Sequence, residues 1–183
     1  MLTKTEIAAR LETTCSDLCA YVQALSPDRF AQQPAEEWSG AGYLEHLILS
    51  VKATAKGFQT APEALERLFG RAAAPSRSYD ALTTFYQAGL AAGANAPANI
   101  TPVNYRIPDE VTDLKTYLLG EWIKGNERLI TALDNWPEAD LDAYVLPHPL
   151  MSNLTLREML YFTLHHNQHH LGDIQRVTGS DWQ

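Results

Sequence analysis

Apolar residues recur every three or four positions through most of the chain, and runs that alternate apolar with polar are missing. That period predicts helices and no strand. Ile7, Leu11, Cys15, Leu18, Val22 and Leu25 mark a first helix over residues 4–25, with Pro27 as its breaker. A second helix opens near Ser39, a residue type that caps helix starts, and runs to about Gly57. Pro62 interrupts it, and EALERLF adds a short continuation. Residues 71–108 are rich in Ala, Pro and Asn and read as a long connection, with a short helix over Tyr79–Leu90. A third long helix is predicted over Asp109–Asn135. Its buried side carries Val111, Leu114, Leu118, Trp122, Leu129 and Leu133, and Trp136-Pro137 stops it. A capping box, Thr155 with Glu158, opens a fourth helix that ends near Thr178-Gly179. Four long amphipathic helices joined by one long crossover predict an all-α fold, a four-helix bundle.

Length and charge narrow the function classes. With 183 residues, a single domain over 1–183 is expected. The chain carries 14 basic and 22 acidic residues, a net charge of -8, and no Lys/Arg cluster, so a nucleic-acid partner is not expected. No apolar run approaches the roughly 18 residues that span a bilayer, and the N-terminal stretch lacks an apolar signal-peptide core. A cytoplasmic protein without membrane association is the expectation. Cys15 and Cys19, spaced i, i+4 in the apolar stripe of the first helix, are expected to be reduced core residues that bind no metal.

The chemistry concentrates near the C-terminus. In the run TLHHNQHHLGDIQ, four of the six histidines fall within six residues: His165, His166, His169 and His170. A helix turns roughly 100° per residue. With Leu156 as the origin, Leu160, Thr163, Leu171, Ile174 and Val177 fall within roughly 60° of it and form the core-facing stripe. His166 and His170 sit at the edge of that stripe, at roughly -80° and -40°, while His165 and His169 point away. The inward pair is spaced i, i+4, close enough to share one metal ion. Two imidazoles are an incomplete site. His46, on the second helix, and His148, in the loop before the fourth, are the remaining histidines. Periodicity places His46 almost opposite Leu44, Ile48 and Val51 and does not bring it to the pair.

Two segments carry a resemblance. WSGAGYLEHL (residues 38–47) has a Trp-Ser ahead of a helical His, and residues 148–175 run from a loop His-Pro through Thr-Leu-Arg-Glu to H-x-x-x-H-x-G. Together they resemble the DinB/YfiT-like family of metal-dependent hydrolases and thiol transferases, which are four-helix bundles. The resemblance implies a divalent ion held by His46, His166 and His170, zinc first, with nickel, iron, copper or manganese as alternatives. Where the family commonly has Gln after the Gly, this chain has Asp173, near the same face: a carboxylate that orients a ligand histidine, a fourth ligand, or a solvated residue near the helix end.

Three histidines leave coordination positions open, as catalytic zinc sites do. Such an ion lowers the pKa of water or takes up a thiolate, so the resemblance implies a hydrolase or a transferase that uses a low-molecular-weight thiol on a small-molecule substrate. The contrasting class is a non-catalytic metal-binding or ligand-sensing bundle, and a homodimer is expected in either case. Glu45, Glu121 and Glu158 stay unassigned as general bases. Arg71, Arg77, Tyr79, Tyr86, Tyr105 and Arg106 of the long connection are candidates for covering the open end of the bundle and gripping an anionic substrate.

Overall fold

The computed structural model describes residues 1–93 and 98–179. Seven α-helices are present among them: α1 (Lys4–Ala24), α2 (Pro27–Ala31), α3 (Gly40–Phe58), α4 (Pro62–Phe69), α5 (Tyr79–Ala91), α6 (Leu114–Asp134) and α7 (Leu156–Gly179). The four long helices form the bundle: α1 and α3 each pack against both α6 and α7. The long crossover carries α4 and α5. Its α5 lies against α7, and α4 lies against a small hairpin. The central part of the crossover, residues 94–97, and the last four residues fall outside the described residues. No helix among those described is long and apolar enough to cross a membrane.

Local chemistry sets the helix ends. Thr3 and Glu6 make a reciprocal capping box for α1, and Ser39 accepts the Gly42 N–H at 3.1 Å to open α3. Thr155 and Glu158 do the same for α7: the Thr155 N–H donates to Glu158 at 3.0 Å, and the Glu158 N–H donates to the Thr155 hydroxyl at 3.1 Å. Two expected boundaries differ. Pro27 does not merely end the first helix; capped by Ser26, it takes the first position of α2, where its missing N–H costs nothing. The third long helix starts at Leu114 rather than Asp109, because Asp113 takes the cap and accepts the Thr116 N–H at 3.0 Å.

The larger departure is a two-stranded antiparallel hairpin, β1 (Val145–His148) paired with β2 (Ser152–Thr155), where no strand was expected. Four residues with a proline among them carry too little alternation to be recognised. Packing supplies what the pattern lacks. Cross-strand partners Leu146 and Leu154 are both buried, and Leu146 lies so close to α3 that a Cβ on Gly57 would meet its Cδ1 at 2.7 Å.

A second close approach joins α3 to α6. A Cβ on Gly125 would sit 2.8 Å from Val51 Cγ1, and Val51 is fully buried and stiff at χ1. We expect Gly125→Ala to destabilise the protein by about 1 kcal/mol. An overpacking cost of about 1–3 kcal/mol exceeds the roughly 1 kcal/mol gained in helix propensity. Urea unfolding checks this, and adding Val51→Ala to Gly125→Ala recovers part of the loss. A Gly125→Ala variant more stable than the parent would contradict the packing.

The N-terminus and α7 are tied by one buried cation. Arg157 is 3% exposed; its Nε and Nη2 donate to the two oxygens of Asp142 at 2.8 and 2.9 Å, and its Nη1 donates to the Leu2 carbonyl at 2.7 Å. The Arg157 hydrogen bond, followed by that of Ser76, holds the Asp142 carboxyl below the usual carboxylate range. A depressed carboxyl contributes stability above its unfolded pKa that is lost as pH falls through its folded one. Melting temperature should therefore fall more steeply with acid in the parent than in Asp142→Asn. Parallel curves below pH 4 would remove Asp142 from the account.

Candidate metal centre

Three helical histidines meet between α3 and α7. His46 lies two turns into α3, which is buried on nearly every side: Val51 meets α6 at Gly125, and His46, only 2% exposed, meets His166 of α7. His166 is 3% exposed and His170 is partly buried. One ring nitrogen from each of His46, His166 and His170 lies within 4.8 Å of the others. Their ring centroids stand 4.6–4.9 Å apart.

Hydrogen bonds set two of the tautomers. His46 Nδ1–H donates to the Ile100 carbonyl at 2.6 Å, so its Nε2 carries a lone pair toward His166 Nε2, 3.0 Å away. His170 Nδ1–H donates to Asp173 Oδ2 at 2.8 Å, which frees its Nε2 in the same way. Asp173 is clamped in turn by Arg176 Nη2 at 2.8 Å. Burial pushes the Asp173 carboxyl up, but its bonds to His170 and Arg176 outweigh that and hold it at about 2. Burial drives His46 down to about 4 and His166 well below the usual histidine range. His46 and His166 are therefore neutral at neutral pH, the form a metal requires.

The donor set fits a divalent ion. Two nitrogens each about 2.0–2.1 Å from one ion stand about 2.9–3.4 Å apart for bond angles between about 90° and about 109°. The 3.0 Å between His46 and His166 falls in that interval. The lone pairs of His46 and His170 also have no proton to meet them from within their own rings. His166 Nδ1 is buried with no hydrogen-bond partner, so its ring is held by packing instead: Phe162 stacks on it at 4.9 Å. Trp38 and Tyr43, from the Trp-Ser segment and α3, close the other side with ring contacts to His46 at 5.2 Å and to His170 at 5.4 Å.

The outer histidines are not part of this set, although His169 meets the His170 ring at 4.9 Å and gathers with His170 and Asp173 in a second, more exposed group. His169 is exposed, and its Nε2 lies 3.5 Å from Asp173. His165, expected at the surface, is half-buried because α5 packs over it and brings Tyr86 to 5.9 Å. The unassigned acids are engaged elsewhere. Glu121 pairs with Lys52 and Lys124, and Glu158 caps α7 and accepts from Arg77. Glu45 is half-buried, which raises its carboxyl to about 7, but it is not among the groups gathered with the histidines. Of the crossover cations, Arg77 is bound to Glu158, and Arg71 pairs with Glu66 and stacks on Tyr144, so neither faces the imidazoles.

Sequence reasoning missed the backbone of the crossover. Ile100, in a short 3-10 turn, supplies the carbonyl that orients His46, and no sequence signal reports a carbonyl's direction. It also missed a cavity of ≈ 570 Å³ running along the groove between α3 and α7. Ser50 and Phe162, which line it, lie one helical turn from His46 and His166. Ile100, whose carbonyl holds His46, lines it as well, although none of the three histidines does.

No curated protein and no solved structure matches this chain. A family profile described as the DinB superfamily matches residues 10–174, a span that holds α3 and α6 whole, most of α1 and α7, and His46, His166, His170 and Asp173. With nine-tenths of its length matched, the chain belongs to the DinB superfamily.

Proposed function

We propose that this protein is a metal-dependent enzyme. His46, His166 and His170 hold one divalent ion, zinc by preference over nickel, iron or manganese, and a small-molecule substrate occupies the adjoining cavity. The observation that carries the reading is the gathering of three imidazole nitrogens within 4.8 Å, one helical turn from residues that line a cavity of ≈ 570 Å³. An ion in such a site supplies Lewis acidity, activating water for hydrolysis or a low-molecular-weight thiol for transfer. The chain's own residues do the rest. Ile100 and Asp173 hold the rings in one tautomer, Trp38, Tyr43 and Phe162 exclude water around them, and the apolar walls of the cavity take the body of the substrate.

Metal analysis of the purified protein tests this first, followed by a screen for thiol adducts and for ester and amide hydrolysis. One equivalent of metal with turnover in either screen is expected. Protein that acquires no divalent ion on reconstitution ends the reading, and one that binds metal without turnover favours a sensing or storage bundle. Asp173 offers a finer check. Asp173→Asn leaves the histidines in place but weakens the grip on His170, so metal affinity should drop about 10- to 100-fold. An unchanged affinity would reduce Asp173 to a surface ion-pair partner of Arg176.

A further inference from the structure

His148 was left over by the metal centre, yet it is as buried as the ligands. It closes β1, is 7% exposed, and lines the cavity. Its ring meets Phe162 edge-on at 4.2 Å, and Phe162 stacks on His166 at 4.9 Å. His148 is not among the groups whose donor atoms gather with His46, His166 and His170.

Its tautomer is defined by the hairpin turn. The Leu150 N–H donates to His148 Nδ1 at 3.1 Å, so Nδ1 is the acceptor nitrogen. The proton of the neutral ring is on Nε2, which has no hydrogen-bond partner among the described residues. Burial keeps the ring neutral, pushing it down to about 4. The surrounding wall is mostly apolar, with Leu146, Pro147, Met159 and Phe162, and the Thr54 hydroxyl is spent on its own helix, donating to the Ser50 carbonyl at 3.2 Å. An unspent N–H on an apolar wall orients whatever fills the cavity.

We propose that His148 is a substrate-recognition residue: its Nε2–H donates to an acceptor oxygen, carboxylate or carbonyl, on a ligand whose apolar body fills the cavity between α3 and α7. The ligand's reacting group lies toward His46 and His166, beyond Phe162, so His148 positions substrate and does not touch the reacting atoms. This rests on reading the cavity as the substrate site. Lys56, also on the cavity lining and exposed, favours a carboxylate over a neutral carbonyl.

Three matched probes test it: 4-phenylbutyrate, 4-phenylbutyramide and butylbenzene, titrated by calorimetry and by NMR of the ring ¹⁵N signals of His148. His148→Asn keeps an acceptor for the Leu150 N–H, and its shorter amide places no donor at the Nε2 position. His148→Gln returns a donor near the Nε2 position. We expect His148→Asn to weaken both oxygen-bearing probes about tenfold, as one lost hydrogen bond does, and to leave butylbenzene within about twofold. His148→Gln should recover most of the loss, and phenylbutyrate should bind more tightly than the amide. Equal binding of the oxygen-bearing probes by His148→Asn and parent overturns the proposal. So does a proton found on Nδ1, or failure of all three probes to bind the parent at millimolar concentration. Metal content is measured in parallel. Probe binding through His148 in a protein that takes no metal would sink the enzyme reading alone. Full metal loading with probes indifferent to His148 would sink this inference alone.

Discussion

Alanine at His46, His166 or His170 abolishes stoichiometric divalent-metal binding, while alanine at His165 or His169 leaves it intact. The expectation is geometric. The first three present ring nitrogens within 4.8 Å of one another, whereas His165 lies against Tyr86 and His169 is solvated. Losing one of three ligands should exceed the 10- to 100-fold effect of losing an orienting partner, so affinity drops by more than about 100-fold. Elemental analysis together with competition against a chromophoric chelator gives the numbers, and circular dichroism shows that each variant is folded. A Cys15→Ser, Cys19→Ser variant belongs in the same series. Both thiols are free and sit between α1 and α6, so metal content should not change. Acid should release the metal, because protons compete for the same lone pairs. Burial lowers the basicity of His46 and His166, so that competition sets in below the usual histidine range near 6.5. If the outer pair proves essential and the inner pair dispensable, both the helical geometry and the site are wrong.

The second large effect concerns stability. Trp122→Ala should cost about 3–5 kcal/mol, a substantial part of the 5–15 kcal/mol that a domain of this kind has. Trp122 is fully buried on α6, which packs against both α1 and α3, and its indole N–H donates to the Cys15 carbonyl at 3.4 Å. Deleting it opens a cavity at the centre of the bundle that its neighbours cannot close without moving helices. Trp122→Phe keeps most of the volume and should cost well under half as much. Urea unfolding followed by circular dichroism measures both. A loss below about 1 kcal/mol for the alanine variant would mean that the bundle is packed differently around α6.

The legibility of the site was uneven. On α7 the stripe from Leu156 to Val177 points at the core, and the angle of His166 and His170 to that stripe follows from the helical repeat alone. The structure agrees: His166 is buried, and His169 is exposed. On α3 the same calculation failed to place His46. A wheel identifies a buried side only when the other side faces water, and α3 is covered by α6 on one side and by α7 and the crossover on the other. His46 was reached through the resemblance to a family, not through periodicity. His165 shows the reverse case: its angle points outward from the core stripe, but α5 covers part of that outward face.

The sequence by itself determined the four long helices, the caps at Ser39 and Thr155 and the inward pair on α7. Those are short-range matters, settled by hydrogen bonds within a turn and by an apolar period that repeats several times. The tertiary structure alone decided the hairpin, the role of Ile100, the burial of α3 and the cavity. Each depends on which segments distant in the chain come to lie side by side. A four-residue strand acquires its partner from packing, a carbonyl acquires its direction from the path of a loop, and a cavity is the space that three elements fail to fill. His148 combines both. Its identity is local, but the position of its Nε2–H on an apolar wall exists only once β1, α3 and α7 have met.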